Sequence, residues 1–195
     1  MLITRGAIHQ YHSKATVHLV TMPAWEILGC TVGDAAAIAR NNMSAFWEDP
    51  TWILLWPEHV TKDFLIEQVT KRCPRNLLRD RAVNRHLKAV DPATGVLMGY
   101  ARWEVPEAHE LDESGQPAWV ESQVPAVSVE EEEHFQKLAE SAWWEIRSDM
   151  ANMDDENVAI MNRIMAERPY ISEQSTSFHH IHNSNGRESN YVQRT

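Results

Sequence analysis

The stretch LKAVDPATGVLMGYARWEV, residues 87–105, leaves few folds open to this chain. Two runs of strand-forming residues flank Asp91, Pro92, Ala93, Thr94 and Gly95. Pro92 suits the second position of a tight turn, and Gly95 can take the positive φ that a bulged hairpin loop requires. On the second run, Leu97, Ala101 and Trp103 alternate with Met98, Tyr100 and Arg102, so the two sets face opposite sides of a strand. The stretch predicts a β-hairpin over 87–104, and with it an antiparallel sheet.

The rest of the chain supplies elements to pack on that sheet. AWEILGC (24–30) reads as a first strand. Thr31 then offers a helix cap, with Asp34 three residues on to complete a capping box. Val32, Ala35, Ala36, Ala39, Met43 and Phe46 follow at helical spacing, and Pro50 ends that pattern near Asp49. TWILLWP (51–57) reads as an apolar loop or turn. A second helix is expected from Thr61 to about Cys73, stopped by Pro74.

Residues 106–127, with Pro106, Gly115, Pro117 and Pro125, read as a surface loop. Ser128 caps a further helix, with Glu131 at the capping-box position and Phe135, Leu138, Ala139, Ala142, Trp143 and Ile146 as its inward stripe. The run Glu130–Glu133 complements the helix dipole. A last helix is expected from Asp154 to Ala166, with Val158, Met161, Ile164 and Met165 on its apolar side. The fold class is therefore α+β or α/β: a small, mostly antiparallel sheet (a strand near 24–30 and the hairpin 87–104) packed by about four helices.

Composition narrows the functions. A chain of 195 residues is long enough to bury a core, and an apolar content of 43% with eight Trp argues for folding. A net charge of −10 disfavours nucleic acid as a partner, because phosphates are held by cationic patches. Two cysteines, Cys30 and Cys73, suit a reducing compartment, and no apolar run reaches a membrane span, so a cytoplasmic location without membrane partners is expected. Residues 1–21 read as a disordered extension with Met22 as an alternative start. Beyond Ile171 the apolar pattern stops, and 172–195 reads as a polar disordered tail. His179, His180 and His182 lie in that tail without a scaffold to fix metal geometry, so no metal site is expected.

Taken together, VGDAAAIARNNMSAFWEDPTWILLWP, LLRD, KAVDPATGVLMGYARWEVP, SAWWE and MAERPYI resemble the N-terminal portion of fungal N-acetyltransferases of the GNAT superfamily, over about Met22 to Ile171. The resemblance implies a partial fold of that kind, acetyl-CoA as cofactor, and transfer of an acetyl group to the amine of a small molecule or peptide. It also implies a fourth, apolar strand after RPYI, followed by a glycine-rich loop opening a helix, whose amides would hold the cofactor pyrophosphate. From Ser172 onward the sequence shows Gly186 alone and no such loop, so an incomplete, inactive acetyltransferase-like domain over 22–171 is expected. No cofactor-binding residue can be assigned. The alternative is a non-catalytic remnant or protein-interaction module on half of the fold.

Few residues stand out as site candidates. Tyr100, Arg102 and Glu104 share one face of the second hairpin strand, where Glu104 could take a proton from an acceptor amine or simply join a polar cross-strand pairing. By the resemblance, Trp52, Trp56 and Tyr100 would line an acceptor pocket. Core packing accounts for the two indoles equally well. The basic run from Lys71 to Lys88 reads as a solvated positive face or a surface for a phosphorylated cofactor. With no fourth strand, the VLMGYARW edge would be open to pairing, and self-association through that edge is expected.

Overall fold

The computed structural model describes residues 25–106, 111–167 and 172–178, the last as backbone. Among these the order is strand β1 (Glu26–Gly29), helix α1 (Ala35–Phe46), helix α2 (Lys62–Leu78), strands β2 (Asn84–Val90) and β3 (Leu97–Glu104), helices α3 (Val129–Glu140) and α4 (Asp155–Met165), and strand β4 (Ser172–Phe178). The strands form one antiparallel sheet in the order β1-β2-β3-β4. This is the mixed α+β class that the sequence predicts. The expected extension 1–21, and residues 179–195 of the expected tail with its three histidines, lie outside the described residues.

The hairpin forms for the reasons its turn suggests. Gly95 takes a φ of 71°. Its amide and that of Thr94 donate to the Asp91 carbonyl, while the Asp91 carboxylate accepts from the Ala93 amide and the Thr94 hydroxyl. The register breaks between Ala89 and Val90, so the loop is bulged. Both capping boxes are present. The Thr31 amide donates to Asp34 at 2.8 Å, and Ser128 and Glu131 exchange amide-to-side-chain bonds of 3.1 and 3.2 Å.

Three expectations need correction. Pro74 does not stop α2, which runs on to Leu78. Pro74 cannot donate to the carbonyl four residues back, a loss worth about 3 kcal/mol or more in a free helix. Continuing the helix, however, buries Leu77 to 1% exposure in a cluster with Cys30, Ile38, Cys73, Tyr100 and Val124. Tertiary burial wins over local propensity here.

Second, Ser172–Phe178 is not tail but β4, hydrogen-bonded along β3 from Gly99↔Phe178 to Glu104↔Ser172. Backbone pairing does not depend on side-chain polarity, so a polar run can fill an outer strand. Third, β3 is consequently paired on both sides, and the VLMGYARW edge proposed for self-association is closed. The outer strands are β1 and β4.

α1 packs on β3 and β4, and α2 packs on α1 and α3. The sheet face under α1 carries Met98, Tyr100 and His86, all buried. A second core lies between the helices, where Met43, Trp56, Val60 and Leu65 are buried among Phe46, Trp47, Trp52, Leu55, Ile66, Val69 and Trp143. α3 contributes less than its stripe suggests. Only Ala139 is buried, and Ile146, beyond the helix end, is 39% exposed. The apolar side of α4 is present but faces outward, with Val158, Met161 and Ile164 all exposed.

Candidate functional site

The four residues that the sequence singles out do not converge. Trp52 sits in the short 3-10 turn Trp52–Leu55, whose start is fixed by the Asp49 carboxylate accepting the Thr51 and Trp52 amides at 2.7 and 3.1 Å. Its ring meets Trp56 edge-on at 5.2 Å and stacks on Phe46 at 5.7 Å. Trp56 also touches Trp143 and Trp144, and Arg72 caps Trp144 at 4.4 Å from the ring centre. These contacts make the two indoles the middle of an aromatic core. Trp56 is 4% exposed, and its Nε1–H meets no acceptor among the described groups.

Tyr100 belongs to the other core, and its hydroxyl is 2.8 Å from His86 Nδ1. His86 lies across from Arg102 in the β2–β3 register, and Lys88 across from Tyr100. Burial, with Arg102 and then Arg85 adding to it, lowers the His86 pKa from 6.5 to about 4, so the ring is neutral near pH 7. Burial raises the Tyr100 phenol well above its ordinary value. The pair can share a proton but is closed to solvent, and it serves the packing of the hairpin under α1. Glu104, at the far end of β3 opposite Asn84 and Ser172, is exposed.

The Lys88 ammonium donates to the Asp34 carboxylate at 2.7 Å, tying β2 to the start of α1. Burial works to raise the Asp34 carboxyl, but the Lys88 hydrogen bond and the Thr31 amide outweigh it and hold the group below its ordinary range. Cys30 and Cys73 are free and buried, and burial first of all pushes both thiols up to about 12, which makes them unreactive packing groups. Among the described residues no cluster of three His, Cys, Asp or Glu could hold a metal.

The basic run 71–88 is not one solvated face. Arg85 is fully buried. Its Nε donates to the Ala118 carbonyl at 2.6 Å and its Nη1 to the carbonyls of Arg81, Ala82 and Asn84 at 2.9–3.1 Å. Arg81 reaches the Val124 carbonyl at 2.7 Å, and Gln123 returns a bond to the Arg81 carbonyl at 2.6 Å. These bonds hold Ala118–Ser122 as a strap over β1 and β2 on the side of the sheet away from α1, while Val124 enters the helix-side core. No repeat or motif in the sequence announces this strap. Its signal is limited to the bulky residues Trp119 and Val120 amid prolines.

Between the strap and the sheet lies a groove of about 400 Å³ lined by Ile27, Leu87, Trp103, Trp119, Glu121 and Ser122. Ile27, Leu87 and Trp103 come from three neighbouring strands and supply its floor. Trp119 and Glu121 stand on the strap. Gly29 explains how the strap comes so close: a Cβ at that position would collide with the Glu121 carbonyl oxygen. Trp119 has a φ of 54°, a left-handed conformation that costs a bulky residue about 1–2 kcal/mol. Its indole is held 43% exposed at the rim.

No family model, no curated protein and no solved structure matches the chain.

Proposed function

We propose that the chain is an N-acetyltransferase-like domain, of the kind that uses acetyl-CoA to acetylate the amine of a small molecule or peptide. One observation carries the reading. The order β1-α1-α2-β2-β3, with both helices between the first strand and the hairpin, is followed by a strand directly after Arg168–Ile171, where the resemblance to that superfamily expects a fourth, apolar strand and this chain supplies a polar one. In such a domain the backbone of β4 would face the thioester, and a glycine-rich turn after it would hold the pyrophosphate. The sequence after Phe178 contains Gly186 alone, so acetyl-CoA binding without acetyl transfer is expected of these residues.

A second reading is a non-catalytic binding module on the same half-fold. The groove on the outer sheet face favours it, since that groove is built without any of Glu104, Trp52, Trp56 or Tyr100. The two free, buried thiols fit a reducing compartment, and we place the protein in the cytoplasm. No helix among the described residues is long and apolar enough to cross a membrane.

Thermal unfolding with and without acetyl-CoA separates the two readings, because a ligand that binds only the folded state raises Tm. A rise with acetyl-CoA that desulfo- or dephospho-analogues fail to reproduce supports the acetyltransferase-like reading. A flat response up to about 100 times a typical micromolar Kd leaves the binding module as the function.

A further inference from the structure

We propose that residues 16–21 fold back on β1 and extend the sheet by one antiparallel strand. The occupant of the β1 edge is thus a segment of the chain itself, outside the described residues, and its docking is independent of acetyl transfer.

The docking surface is the side of β1 turned away from β2. The Cys30 amide donates to the His86 carbonyl at 3.1 Å. By antiparallel alternation the backbone groups of Leu28 also face β2, while those of Ile27 and Gly29 face away. Among the described residues no strand lies beyond β1, and no backbone bond reaches Ile27 or Gly29 from that side. Free strand edges are blunted by charges, prolines or bulges. β1 has Glu26 as its one charged residue and no bulge in its register with β2. Around it Trp25, Ile27 and Leu28 are 45%, 61% and 38% exposed. Such an edge is a template for one more strand.

The sequence just before β1 supplies that strand. TVHLVT (16–21) holds the β-branched Thr16, Val17, Val20 and Thr21, with no Asp, Glu, Lys, Arg, Gly or Pro. Pro23 then fits the second position of a turn from Met22 to Trp25, and the residue before a proline is pushed towards extended backbone. A loop of two or four residues around Pro23 is of hairpin length. Closing so short a loop costs little entropy, and a tethered segment meets the edge at an effective concentration of about millimolar, ahead of a second copy. Charge agrees with this choice. Residues 1–24 carry Arg5 and Lys14 and no carboxylate, whereas the whole chain carries −10. With either loop length, Val17 and Leu19 fall on the Leu28 side of the sheet, the side of Lys88 and Tyr100. His18 then falls at a position whose backbone bonds to β1.

The test is residue-resolved amide hydrogen exchange by NMR on the full chain, at low and high protein concentration. The Ile27 amide is expected to exchange about 100-fold more slowly than in an unfolded chain, at both concentrations. His18→Pro removes a paired donor and should speed Ile27 exchange about tenfold or more, while the amides of β3 keep their rates. Circular dichroism checks that the variant is folded. Should it lose the fold, cross-strand Hα–Hα contacts between residues 16–20 and Trp25–Gly29 in the unaltered chain decide. Exchange of Ile27 at the unfolded rate, protection that survives His18→Pro, or absence of those contacts overturns the proposal. Protection that appears only at high concentration overturns the choice of occupant and gives the edge to a second copy.

Discussion

On β2 and β3, His86 and Tyr100 are shut beneath α1, while Leu87 and Trp103, each only a few residues along the same two strands, open onto a groove. The difference follows from the period of two along a strand, which sends neighbouring side chains to opposite faces. One face received a helix layer and became core. Among the described residues the other received the strap Ala118–Ser122, which buries Arg85 but leaves Ile27 61% exposed and keeps its own Trp119 43% exposed. A single hairpin thus supplies both the framework of the fold and, with Ile27 of β1, the floor of the outer groove.

That contrast can be broken by mutation. Leu77→Ala and Leu65→Ala, at 1% and 0% exposure, should each lower stability by about 2–5 kcal/mol in urea unfolding. Ile27→Ala on the other face should cost less than about 0.5 kcal/mol. Equal losses at the two faces would mean that the outer face is covered in solution.

The helix-covered face also carries a pH dependence. The unfolded chain protonates its histidine near 6.5, whereas buried His86 resists protonation down to about 4. Between those values the unfolded state binds more protons. Stability is therefore complete above pH 6.5 and falls by about 3 kcal/mol as pH drops towards 4. Denaturant midpoints measured from pH 7 to 4 check this, and a His86 imidazole NMR signal, identified by its loss in His86→Gln, that titrates near 6.5 in the folded protein would refute it.

Gly29→Ala sharpens the comparison from the other side. It should lift the strap off β1 and cost about 1–3 kcal/mol, with Trp119 fluorescence changing while the His86–Tyr100 pair stays intact. Ser128→Ala removes the α3 cap, distant from both faces, and should cost about 1 kcal/mol in thermal unfolding. A small effect is also expected at Trp119→Gly. Relief of the left-handed strain offsets the lost contacts, so Tm should move by less than the equivalent of about 1 kcal/mol.

Local chemistry was legible in the sequence wherever a few adjacent residues decide the outcome. Asp91, Pro92 and Gly95 specify the hairpin, and Thr31–Asp34 and Ser128–Glu131 specify two helix starts. What the sequence hides depends on distant partners. Pro74 is tolerated because Leu77 has a core to enter, and the polar run Ser172–Phe178 is a strand because β3 offers backbone groups to pair with. The groove was invisible for the same reason. Its lining comes from β1, β2, β3 and the strap, and nothing in the residues around Trp119 signals a left-handed backbone. Of the candidate site residues, the sequence could say that Trp52, Trp56 and Tyr100 were large and apolar, but not that two separate cores would divide them.

The sheet joins strands of very different separation along the chain. β2 and β3 meet across a six-residue turn region, but β1 must find β2 across 54 intervening residues and β4 must find β3 across 67. The hairpin can close in about 1–10 μs, long before either outer strand docks. Folding should therefore proceed outward from the hairpin, with β1 and β4 docking last. In the native protein, amide exchange should show the reverse sequence, with β1 and β4 opening at lower free energy than β2 and β3.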